Sequence, residues 1–253
     1  MEGAKDLAPG GVHRRVVALE DGSKLNRYWD DSDAPRDESF GEDVAQAQQS
    51  HREPRQTYRE IRAAAESGWD FSSRWFADNR TLASIDTTEI IPVDLNGLLF
   101  GLENAIRAGC ERVGDHDCAE DFNRRAADRR AAIDRYLWDE AHGAFLDYRW
   151  TLKQRIPGIS AATLYPLFTQ VANNAQAASV ARVVEKDLLR IGGYPRDYAK
   201  HRPAMGCAQR MGAATMGRRG GLNTLRRAPN CRTNRLPLDR QRLAGLSQDW
   251  QTA

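Results

Sequence analysis

Glu66-Ser67-Gly68-Trp69-Asp70-Phe71-Ser72-Ser73-Arg74-Trp75 sets Asp70 among two indoles, a phenyl ring, serine hydroxyls and a guanidinium. A carbohydrate site needs this mixture. Aromatic faces cover the C–H faces of a sugar, while hydroxyl and guanidinium groups bond its edges. A carboxyl group crowded by indoles is desolvated, which raises its pKa and keeps a proton ready for donation near neutral pH. The same residues also suit a buried helix start with a capping Asp. Composition alone leaves both readings open.

Outward from this stretch the chain reads as helix after helix. Thr57–Ala65 predicts a short helix ending before Gly68. Pro92 marks a helix start, and Leu95, Leu98, Leu99 and Leu102 then form an apolar stripe. Phe122, Ala126, Ile133 and Leu137 mark the next helix, whose other face is rich in Arg and Asp. Two further helices are expected at about 160–172 and 175–190, the second capped by Gly192. Residues 41–56 are polar and suit a solvated loop or an exposed helix. The exceptions are a hairpin about Asp21-Gly22, flanked by Val16–Leu19 and Leu25–Tyr28, and an extended Phe145–Trp150 after the turn Ala141-His142-Gly143. Short links and little strand predict an all-α domain of paired antiparallel helices.

The stretch 66–75 resembles the signature of the trehalases, the glycoside hydrolases that split α,α-trehalose into two glucoses. Three other runs are similar to that family in the same order: Leu25-Asn26-Arg27-Tyr28-Trp29-Asp30-Asp31, then Pro35-Arg36-Asp37-Glu38-Ser39, and, after the signature, Ile85 to Asn96 with its Pro92-Val93-Asp94-Leu95-Asn96. The resemblance covers residues 1–193. It implies a (α/α)6 toroid, a double ring of helices of which this chain carries a part, with the sugar site at one end.

Two carboxyl groups flanking the bond hydrolyse a glycoside, about 6.5–9.5 Å apart when the outcome is inversion. The resemblance implies inversion, with Asp70 as the general acid protonating the bridging oxygen. It places substrate contacts at Arg36, Asp37, Glu38 and Gly68. Arg36 offers a planar fork of donors and Glu38 an acceptor. Asp37 departs from the Pro of the family's pattern, which puts its own contact in doubt. Without the match, Arg36 and Glu38 read as an exposed ion pair in a loop. Trp69 and Trp75 suit either a core or a sugar platform, and Arg74 either a substrate or a structural carboxylate. The family's catalytic base lies near its C-terminus, and no carboxylate of this chain matches it. Another toroidal glycosidase acting on a different sugar, or a sugar-binding remnant without catalysis, are the competing readings.

The likeness stops at Gly193, where the composition changes. Residues 192–253 hold 11 Arg and 1 Lys against 3 Asp and no Glu, a net charge of +9, while 1–191 carry 25 basic and 32 acidic residues, a net of −7. A basic arm suits nucleic acid, yet this one has a single Lys and no helical or strand periodicity. Each Met-Gly pair (Met205-Gly206, Met211-Gly212, Met216-Gly217) reads as Trp one base later, because ATG-GGN contains TGG. A one-base shift of Lys200–Gly217 permits QQWDAPNGWAPLQ, which resembles the family's second signature. The expectation is a frameshift near Gly192–Pro195, with 1–193 a middle piece of the catalytic domain and 194–253 an out-of-frame, disordered tail. No nucleic-acid partner is then expected. Met1-Glu2-Gly3-Ala4 resembles an interior stretch of the family, so the start is read as internal.

At 253 residues and 41% hydrophobic, the chain can bury one sizeable core. No run of 18 apolar residues predicts a membrane span, and MEGAKDLAPGG has no apolar core of a signal peptide. Cys110 and Cys118 can pair only if Glu111–Asp117 folds back, so unpaired core thiols are the expectation. His116 with these two cysteines fits no zinc pattern, and neither metal nor organic cofactor is implied. The expected partner is the disaccharide alone, bound by a monomer. Likeness to periplasmic members implies a periplasmic location, with the cytoplasm as the alternative.

Overall fold

The computed structural model describes residues 7–189. The tail 194–253, the cap at Gly192, and Cys207 and Cys231 lie outside the described residues. A small antiparallel sheet comes first, from β1 (Val12–His13), β2 (Val16–Ala18) and β3 (Lys24–Asn26). Val17 faces Leu25 across the expected hairpin, and Gly22 takes the positive φ of 83° that its turn requires. Helix α1 (Phe40–Ser50) fills the polar stretch read as loop or exposed helix, and α2 (Pro54–Glu66) follows. Pro54 opens α2, where its missing N–H costs nothing, and the Glu53 side chain accepts from Gln56 N.

After the signature, β4 (Ile90–Ile91) leads through Pro92 into α3 (Val93–Val113), and α4 (His116–Tyr136) returns beside it. Short strands β5 (Trp138–Asp139) and β6 (Ala144–Phe145) form a hairpin, and β7 (Tyr148–Arg149) lies between β4 and β8 (Gln154–Arg155). The helix expected at 160–172 is broken into a 3-10 turn at 161–164 and the single-turn α5 (Tyr165–Phe168). Helix α6 (Asn174–Asp187) closes the described chain, with a reciprocal capping box between Asn173 and Gln176. Among the described residues no helix is long and apolar enough to cross a membrane.

The buried face of α3 differs from the expected leucine stripe. Leu98 and Leu102 are 42% and 53% exposed, and the buried positions are Val93, Asp94, Asn96, Gly97, Phe100 and Glu103. Polar partners turn the helix this way. Arg129 of α4 is buried and bonds Glu103 through Nε and Nη2, at 2.8–3.0 Å. Its Nη1 donates to Asn26 Oδ1 and Asn96 Oδ1, at 3.0 and 3.1 Å. Asn96 in turn accepts from Asn26 N and donates to Asn26 O. Every polar atom on this seam gains a partner, so its burial is tolerated. Gly97 lies against Thr169 and the Tyr165–Pro166 backbone; an added Cβ would sit 3.3 Å from Thr169 Oγ1.

The expectation of unpaired thiols is overturned. Cys110 near the end of α3 is disulfide-bonded to Cys118 in the first turn of α4, with Cα atoms 5.8 Å apart. Gly114 ends α3 at φ 75° and the Asp115 side chain caps α4 through Cys118 N, so the link does fold back. Two apolar clusters complete the core. One centres on Ile133, Leu137, Phe145 and Val180; the other on Ile61, Trp75, Phe76, Ile85 and Ile90. Trp69 packs against both.

Candidate active site

Asp70 stands where a helix is forced to end. Gly68 adopts φ 72° just past α2 and donates to Ala65 O, a conformation in which a side chain is strained. Ser67 Oγ accepts from Trp69 N at 3.0 Å. The chain then reverses in a turn closed by Ser72 N donating to Trp69 O at 2.6 Å, with Asp70 and Phe71 at its corner and a cis peptide between them. Asp70 is exposed. The expected wall of indoles is therefore corrected. Trp75 turns inward, fully buried and edge-on to Tyr28 at 5.9 Å, and its Nε1 donates to Trp69 O. Trp69 is half-buried. The core takes the second indole because aliphatic neighbours from α2 and β4, with Tyr28 and Phe76, surround it.

Arg74 is structural. Its buried guanidinium bonds Asp94 through Nη1 and Nη2 at 3.1 and 2.7 Å, and Asp147 through Nη2 at 2.7 Å and through Nε. Asp147 also accepts from Val93 N at 2.9 Å. Burial disfavours the charge on Arg74, but the two carboxylates outweigh it and raise its pKa. The guanidinium also lies over Trp75 at 4.5 Å and Trp69 at 5.4 Å. One side chain thus fastens the Asp70 turn to the start of α3 and to the link after β6.

Arg36 and Glu38 are not paired as a loop ion pair. Arg36 donates to Asp43 of α1 from its backbone N, Nε and Nη2, at 2.9, 3.0 and 2.8 Å. Asp43 is buried. The guanidinium lies over Phe71, 4.9 Å from the ring centroid. Its pKa is raised, first by the hydrogen bond to Asp43 and also by the charges of Glu38 and Asp70. Arg36 thus packs on Phe71, the residue that follows Asp70 in the turn. Asp37 and Glu38 are exposed in a single turn before α1. At Gly68 an added Cβ would meet open space, so its backbone is approachable from outside.

Asp43 and Asp147, which hold this arrangement, escaped sequence reasoning. Asp94 stood in the Pro92–Asn96 motif, and an acid flanked by Val93 and Leu95 was the available signal. Among the described residues no group of three or more His, Cys, Asp or Glu could hold a metal ion.

The sequence profile of the trehalases matches residues 11–202. The chain belongs to the trehalase family. The neutral trehalase Nth1 from Saccharomyces cerevisiae has a similar fold, with a TM-score of 0.52 at 22% identity over 67% of this chain. The alignment takes in 35% of the yeast chain, so this trehalase-family chain spans about a third of the length of that solved relative. The helical pairs described above are accordingly part of an all-α glycosidase toroid.

Proposed function

We propose that this chain carries the acid-bearing side of an α,α-trehalase site, with Asp70 protonating the oxygen that bridges the two glucoses. The observation that carries this reading is the exposed corner of the Trp69–Ser72 turn, where Asp70 precedes the Phe71 ring over which the Arg36 guanidinium lies. Arg36, Glu38 and the Gly68 backbone bond the sugar hydroxyls, with Asp37 at their edge. Hydrolysis proceeds with inversion, a second carboxylate activating water from the opposite face.

No carboxylate of this chain matches the base that the family resemblance implies. The buried acids are each engaged: Asp43 by Arg36, Asp94 and Asp147 by Arg74, Asp86 by Arg149, Glu60 by Thr88 and Glu103 by Arg129. The 253-residue chain, with the proposed frameshift after Gly193, then binds trehalose without turning it over. The Cys110–Cys118 disulfide supports an oxidising compartment such as the periplasm.

The test is calorimetry with trehalose alongside glucose release, for the chain and for Asp70→Asn. Binding without release is expected. Release above the Asp70→Asn control overturns the inactivity, and absence of binding overturns the sugar site.

A further inference from the structure

Arg36 reaches the proposed sugar site only because something behind it fixes the plane of its guanidinium. We propose that Asp43 is that positioning residue, an inference that rests on the trehalose-site reading of Arg36. Asp43 sits in the first turn of α1, where the helix dipole favours its charge, and is 2% exposed. Its two oxygens take the Nε–H and one Nη2–H of Arg36 as a fork, and one of them also takes the Arg36 backbone N–H.

A guanidinium carries five N–H donors in a rigid plane. Asp43 uses two, which leaves both Nη1 hydrogens and one Nη2 hydrogen for a ligand's hydroxyls. The Phe71 ring, 4.9 Å from Cζ, covers one face of the plane and fixes its tilt. Fork and ring together leave the guanidinium no freedom to swing away from the turn that bears Asp70. Asp43 does not touch the sugar in this arrangement; it acts through Arg36. A residue held before the ligand arrives loses less side-chain entropy on binding. Asp43 also ties the start of α1 to the loop before it through the backbone bond, so the loop's position and the fork's orientation are set by one carboxylate.

A double-mutant cycle on trehalose affinity tests this in the full chain, using Asp43→Asn, Arg36→Ala and both together, with circular dichroism as the check on folding. Asp43→Asn is expected to weaken binding about tenfold, and to cost nothing further once Arg36 is Ala. Multiplying losses, or an Asp43→Asn affinity within about twofold of the original, overturn the proposal. If the unaltered chain does not bind trehalose, the site reading fails instead. The Arg36 Nε–H resonance then still decides the role of Asp43. Slow hydrogen exchange in the unaltered chain, assigned by its loss in Arg36→Ala, is expected; exchange at the rate of a free arginine overturns it.

Discussion

Glu60 accepts two hydrogen bonds from Thr88, one from the backbone N and one from Oγ1, both at 2.6 Å. The pair joins α2 to the segment before β4, and burial pushes the Glu60 carboxyl up to about 7 against the Thr88 donors. Asp86, close by, is pushed up to about 6 by burial although Arg149 opposes it. Both carboxyls hold protons more tightly folded than unfolded. Their contribution to stability is thus complete below about pH 4 and is lost as pH rises towards 7.

Urea midpoints should therefore fall between pH 5 and pH 7. Glu60→Gln should flatten that slope and gain on the order of 2 kcal/mol at pH 7 relative to the unaltered chain. An amide can keep both contacts, its oxygen accepting from Thr88 N and its nitrogen donating to Thr88 Oγ1. A midpoint that rises with pH over this interval would contradict the assignment.

Arg74→Met should destabilise the chain by about 3–5 kcal/mol, because Asp94 and Asp147 would stay buried without a counter-charge. Lys should not rescue it, since one ammonium cannot serve two carboxylates in a plane. Thermal melts of the two variants check this.

Gly68→Ala should cost about 1–2 kcal/mol from the left-handed backbone alone, as no atom obstructs the new methyl. If the sugar approaches this backbone, trehalose affinity should fall as well. Comparing melting with calorimetry separates the two effects.

Cys110 and Cys118 should resist alkylation until reduced. Replacing either by Ser should lower stability by about 2.5 kcal/mol, the chain-entropy value for a loop of this size. Peptide mapping under non-reducing conditions, followed by denaturant titration, tests both statements.

Much of the scaffold was legible because its signals are local. The Asp21-Gly22 hairpin, Pro92 at a helix start, and the α4 stripe of Ala126, Ile133 and Leu137 all depend on neighbours within one or two turns. What escaped was polar burial. The apolar period pointed α3 at its leucines, whereas Asn96 and Glu103 are turned inward by Arg129 and Asn26, far away in sequence. Arg129 itself looked like part of a solvated face. In the site, the Asp70 turn and the Arg36 stretch were found as motifs, but Asp43 resembled any helix-surface acid. The fate of Trp75 depended on a core that only assembles in three dimensions. The disulfide was missed because its loop reversal depends on Gly114 and Asp115 acting together.

Arg74 is separated from Asp94 by 20 residues and from Asp147 by 73. A nascent chain emerging from the ribosome therefore carries the turn with Asp70 long before the second of its anchors exists. Until residue 147 is out, the guanidinium meets at most one carboxylate, and the turn stays loosely held. The turn at Asp70 is thus fully anchored only once residue 147 has been made, timed by a carboxylate that lies 73 residues beyond Arg74.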